Sequence, residues 1–116
     1  MLKNNLKTKL VLTIAMSMLL HVGSTQAASM SNVHVTYVGT YGNGDIYVGF
    51  DATLNEPGCA NARIDIPASA TGAKNVLAQA LLAKAAGLAV SVASTGCYNG
   101  SPTLPNQAVS SFFYIN

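Results

Sequence analysis

The sequence has no tryptophan and only two histidines, and charged side chains make up 9% of its 116 residues. His34 is the single histidine after residue 27, and no serine or cysteine nucleophile stands beside it. Its four acids, Asp45, Asp51, Glu56 and Asp65, show no spacing that suggests a catalytic pair. The residue sets of a hydrolytic triad or a metal site are therefore missing, and we predict no catalytic residue, no metal and no cofactor.

The first 27 residues have the three parts of a secretory signal peptide. Three lysines and no acid precede an apolar run from Leu10 to Val22, and a small-residue stretch ending at Ala27 follows. About 20 apolar residues are needed to cross a bilayer, so this run is too short for a membrane anchor. We expect cleavage after Ala27, which leaves residues 28–116 as one domain, secreted or periplasmic and without a membrane span.

Removing residues 1–27 takes away three of the six basic residues and changes the net charge from +2 to −1. The basic pI of the whole chain therefore gives no reason to expect nucleic acid as a partner. Ser, Thr, Asn and Gly supply most of the polar surface instead, which suits neutral polar ligands or burial against another chain.

Cys59 and Cys97 both lie in the part predicted to be exported. An even number of cysteines in an oxidising compartment indicates a disulfide. A disulfide between these two cysteines closes a loop of about 39 residues, which stabilises a domain by about 4 kcal/mol in the chain-entropy model.

Alternating apolar residues predict a mainly β domain with one helix. The expected inward residues are Val33, Val35 and Tyr37 in the first strand, Ile46, Val48 and Phe50 in the second, and Ile64 and Ile66 in the third, where Arg63 and Asp65 point outward. Asn43-Gly44 predicts a tight hairpin between the first two strands. Strong helix formers predict a helix over Ala73 to Ala86, ended by Gly87, and strands follow over Leu88 to Ala93 and Ala108 to Ile115.

Five short strands with one helix between the third and fourth are typical of a small OB-like barrel. An open α+β sheet is the alternative. On the helix, Leu77 and Leu81, continued by Leu88, predict the core-facing stripe. The remaining surface is rich in alanine, which indicates either contact with another subunit or merely good helix formers exposed to water. The tyrosines suit stacking on sugars or packing in an interface.

Several segments together resemble the subtilase-cytotoxin binding-subunit family: Ser31-Asn32-Val33, Tyr47-Val48-Gly49-Phe50-Asp51, Cys59, and Leu81 to Gly87 leading into a strand. The resemblance covers about residues 31–97. It implies an OB fold, a pentamer, a separate catalytic A chain as partner, and a glycan site that includes Ser31 and Asp51. A tyrosine of the family's site has no counterpart here, because Ala93 and Ser94 stand at its position.

The sequence as a whole thus predicts an exported, non-enzymatic binding module that recognises glycan or a protein as an oligomer. A periplasmic inhibitor or accessory protein of an envelope or host enzyme is the alternative.

Overall fold

The computed structural model describes residues 28–105 and 110–116. The predicted signal peptide and the start of the last predicted strand lie outside the described residues. The described residues form seven strands and one helix: β1 (Ser29–Thr40), β2 (Ile46–Phe50), β3 (Ile64–Ile66), α1 (Ala73–Ala86), β4 (Ala89–Ala93), β5 (Cys97–Tyr98), β6 (Ser101–Pro102) and β7 (Phe112–Ile115). In this part of the chain no helix is long and apolar enough to span a membrane.

Five strands form one antiparallel sheet in the order β3-β2-β1-β4-β7, and β5 pairs with β6 in a separate hairpin. The predicted mainly β fold with one helix after the third strand is confirmed. No pairing between β3 and β7 occurs among the described residues, so the sheet is not closed into the predicted barrel.

The predicted hairpin between β1 and β2 is present at Asn43-Gly44, although its turn has three residues and not two. At Asn43-Gly44 only the glycine has positive φ, and Tyr41 N–H bonds Asp45 O at 2.8 Å across a three-residue turn. The two-residue hairpin lies instead at Asn99-Gly100, where both residues have positive φ, as a type I′ turn requires. No strand is predicted from the sequence between Ala93 and Ala108, so the β5–β6 hairpin is an addition to the predicted fold.

The core lies between α1 and one face of the sheet. Val33, Val35, Ile46, Val48, Ile64 and Ile66 are buried there as predicted, together with Val90, Val92 and Phe113. Phe50 is half-buried against this core. Tyr37, predicted inward, is exposed, because the register of β1 against β2 shifts between Val35 and Tyr37 and turns the tyrosine to the outer face.

The helix has the predicted bounds and ends at Gly87, whose φ of 65° is left-handed. Its inward face is different, because Ala73, Val76, Ala80 and Ala83 are buried. The predicted leucine stripe is wrong: Leu77 is half-buried, Leu81 is 51% exposed and Leu88 is also exposed. Valine and isoleucine from the sheet fill the space between the layers, and the helix approaches them through small side chains.

The predicted disulfide between Cys59 and Cys97 is present, with a Cα–Cα distance of 5.6 Å. It joins the 51–63 loop, which connects β2 to β3, to the 94–100 segment, which follows β4.

Candidate functional site

The outer face of β1 and β2 carries two matched tyrosine–glycine pairs. The sequence Tyr-Val-Gly occurs at residues 37–39 and again at 47–49. The antiparallel register places Tyr37 opposite Gly49 and Tyr47 opposite Gly39. A Cβ atom at Gly49 would lie 2.1 Å from the Tyr37 ring, and one at Gly39 would lie 2.2 Å from the Tyr47 ring. The glycines therefore let both rings lie flat against the neighbouring strand.

Tyr41, the residue after the end of β1, adds a third ring beside those of Tyr37 and Tyr47. The ring centroids of Tyr37 and Tyr47 are 6.2 Å apart, and those of Tyr41 and Tyr47 are 5.0 Å apart. Tilted contacts at such distances are favourable for aromatic side chains. We call Tyr37, Tyr41 and Tyr47 the tyrosine row.

Arg63 lies over the tyrosine row. Its guanidinium carbon is 5.9 Å from the Tyr41 ring centroid and 5.3 Å from that of Tyr47, within the range of cation–π interactions. It also donates a hydrogen bond to the Tyr41 hydroxyl, and its Nε donates to Asp65 Oδ1 at 3.0 Å. The cation is therefore held in one orientation beside the rings.

Asp65 was predicted to point outward. It does lie on the outer face, opposite Tyr47 on β2, but it is only 1% exposed. Arg63 covers it, and β6 packs alongside β3. The ion pair with Arg63 compensates part of the cost of burying its charge.

Two shallow clefts flank the exposed Tyr37 ring and share Tyr37, Ala62 and Arg63. One has a volume of about 180 Å³ and is also lined by Asp51 and Thr53. The other, of about 360 Å³, is also lined by Asn61. An aromatic face beside carboxylate, hydroxyl, amide and guanidinium groups can contact the C–H face of a sugar and bond its hydroxyls.

Asp51, one of the two predicted ligand residues, thus borders this site. Its Oδ1 accepts the backbone N–H of His34 at 2.8 Å, and its Oδ2 lies 3.2 Å from His34 Nδ1. These contacts, the backbone N–H first, lower the pKa of Asp51 below its ordinary value despite an opposing contribution from burial. The carboxylate is ionised near neutral pH and remains about half exposed.

Ser31, the other predicted ligand residue, is exposed on β1, three residues before His34. It lies where the pairing of β1 with β4 is irregular, between Met30 and Val33. Within the described part of the chain no hydrogen bond joins Ser31 to Asp51. The structure therefore brings Asp51, but not Ser31, to the clefts beside Tyr37.

Ser94, which stands where the family's tyrosine was expected, is fully buried, and its hydroxyl donates to Glu56. It has a structural role and does not face a cleft. Arg63 was missed as a site residue, although the repeated Tyr-Val-Gly is a sequence signal for the face on which it lies. Within residues 28–105 and 110–116 no cluster of His, Cys, Asp or Glu is arranged to hold a metal ion.

Comparison with known proteins identifies no relative. No family model matches the chain, and no curated protein or solved structure is significantly similar to it.

Proposed function

We propose that the mature protein is an exported, non-enzymatic binding module that recognises glycan through the two clefts beside Tyr37. The observation that carries this proposal is the exposed Tyr37 ring, which lines one cleft together with Arg63 and the ionised Asp51. A flat ring with charged and amide groups at its margins suits a ligand that has both C–H faces and hydroxyls.

The resemblance to toxin binding subunits supports the same function. The strand order, with α1 between β3 and β4, is compatible with an OB-like barrel, whose closure requires β3 to meet β7. Asp51 belongs to the proposed site on both the resemblance and the geometry. Ser31 belongs to it on the resemblance alone.

We further propose that the protein acts as an oligomer whose contacts include the outer face of α1. Leu81 and Leu82 are 51% and 56% exposed, and Leu88 beyond the helix is exposed as well. We assign this face to a second copy of the chain, because a domain with a net charge of −1 has little electrostatic repulsion against itself. Shallow clefts bind weakly, and several copies on one surface gain avidity. That the oligomer is a pentamer, and that it has a catalytic A chain as partner, is implied by the family resemblance alone.

A glycan array with the purified residues 28–116, followed by calorimetry with the best glycan found, tests the proposal. Tyr37→Ala should lower the affinity about tenfold, which corresponds to an aromatic contact of about 1.4 kcal/mol. Tyr114→Ala is the matched control, since Tyr114 is exposed to a similar degree but lies on β7 at the far edge of the sheet. Its affinity should be unchanged.

Equal losses of glycan affinity in the Tyr37→Ala and Tyr114→Ala variants would place the binding site elsewhere. Failure of the oligomeric protein to bind any glycan would refute the proposal and leave an inhibitor or accessory role to be tested.

A further inference from the structure

Glu56 is an acid without a cationic side chain beside it. It lies in the 51–63 loop and is only 9% exposed. The two ion pairs among the described residues are His34 with Asp51 and Arg63 with Asp65, and neither includes it. Burying a carboxylate without a cation is costly unless several donors surround it.

Three donors do surround it. Glu56 Oε2 accepts hydrogen bonds from the Ser94 hydroxyl and from the backbone nitrogen of Ala28, the second at 3.0 Å. Its Oε1 accepts a hydrogen bond from the backbone N–H of Gly96 at 3.1 Å. Burial raises the pKa of Glu56, but these hydrogen bonds outweigh it and lower the pKa below the ordinary value. The carboxylate is therefore ionised in the folded protein at neutral pH.

Ala28 is itself fixed in place. Its carbonyl oxygen accepts the backbone N–H of Ser94 at 2.9 Å, its side chain packs against the core, and the next residue begins the pairing of β1 with β4. Its nitrogen cannot leave Glu56 without breaking these contacts.

We propose that Glu56 is a receptor for the amino terminus of the mature protein, which binds the α-ammonium group of Ala28. This inference rests on the export proposed above. Hydrolysis of the Ala27–Ala28 peptide bond by a signal peptidase consumes one water and leaves a carboxylate on Ala27 and an amine on Ala28. The amine takes up a proton at neutral pH, since α-amino groups have pKa values near 8.

Cleavage thus changes the partner of Glu56 from a neutral amide to a cation at the same position. A charge-assisted hydrogen bond is about twice as strong as a neutral one. Processing should therefore stabilise the fold, and it should do so through Glu56.

A double-mutant cycle tests this proposal. The chain starting at Ala28 is prepared with a free amine and with an N-acetyl group, each with Glu56 and with Glu56→Gln, and unfolded in urea. Acetylation should raise the unfolding equilibrium constant about tenfold in the Glu56 protein. In the Glu56→Gln protein the effect should be less than twofold. Equal effects in both pairs would overturn the proposal.

A second measurement covers the case in which Glu56→Gln fails to fold. The acetylation effect in the Glu56 protein alone must still appear, and the free amine must react with an amine-specific reagent at least fivefold more slowly when folded than when denatured. A stability unchanged by acetylation, or an amine as reactive when folded as when denatured, would contradict the ion pair. The mass of the exported protein separates the hypothesis of processing at Ala27–Ala28 from the hypothesis of the ion pair with Glu56. A start other than Ala28 refutes the predicted processing itself.

Discussion

Ala80 and Leu81 are neighbours on α1, but they have opposite environments. Ala80 is fully buried against the sheet, whereas Leu81 is 51% exposed. The same substitution to glutamate at each position therefore separates folding from assembly.

Ala80→Glu places a carboxylate in the core, where no cationic group is available among the described residues that pack there. An uncompensated buried charge costs about 3–5 kcal/mol. The variant should therefore lose about 3–5 kcal/mol of the roughly 5–15 kcal/mol that stabilise a domain of this size. Circular dichroism and urea denaturation measure this loss.

Leu81→Glu should change the stability of one chain by no more than about 0.5 kcal/mol, because the side chain already faces solvent. It should instead lower the mass measured by light scattering to that of a monomer. Ser69→Glu is the control, since it adds the same charge at an exposed position that lies before α1 and outside the leucine face. An Ala80→Glu variant as stable as the wild type would refute the orientation of the helix, and a monomeric wild-type protein at tens of micromolar would refute the interface.

Three further predictions concern stability. Replacing both residues of the Cys59–Cys97 disulfide with serine should lower the free energy of unfolding by about 4 kcal/mol and raise the urea m-value, and an unchanged midpoint would contradict this. Gly49→Ala should cost about 1–3 kcal/mol by displacing the ring above it, whereas Gly42→Ala, with nothing within 4 Å, should cost under 1 kcal/mol in the same denaturation assay. In the folded state a hydrogen bond from the Tyr98 hydroxyl lowers the pKa of Asp45, and one from the His34 backbone N–H lowers the pKa of Asp51. The unfolded chain therefore binds protons first, and thermal melts should show stability retained above about pH 4 and lost below it.

The elements could be predicted because their signals are local. Apolar patterning gave the five strands of the main sheet, though not the short β5–β6 hairpin, and strong helix formers followed by Gly87 gave both ends of α1. The face that the helix buries could not be predicted in this way. It depends on the volume already filled by the sheet, and the apolar side chains lie almost all around α1. Packing against the sheet buries the small side chains of α1 and leaves Leu81 and Leu82 exposed.

The site was only partly predictable for the same reason. The resemblance implied Asp51, which lines one of the clefts, and the tyrosines were predicted to suit stacking on sugars or packing in an interface. The position of Arg63 depends on the register of three strands, which no single segment encodes. The burial of Glu56 likewise depends on Ser94 and Gly96, and that of Asp65 on the packing of β3 against β2 and β6, all of which are distant in sequence.

The proposed binding site depends on the 51–63 loop, which has no regular structure and supplies Asn61 and Arg63 to the clefts. Three sets of contacts join this loop to the 94–100 segment. They are the Glu56 hydrogen bonds, the disulfide, and the backbone N–H groups of residues 60 and 61, which both donate to Gly100 O, at 2.8 and 2.9 Å. These contacts fix the loop together with Leu54, which is buried in the core. Reduction of the disulfide should therefore weaken glycan binding even in the molecules that remain folded.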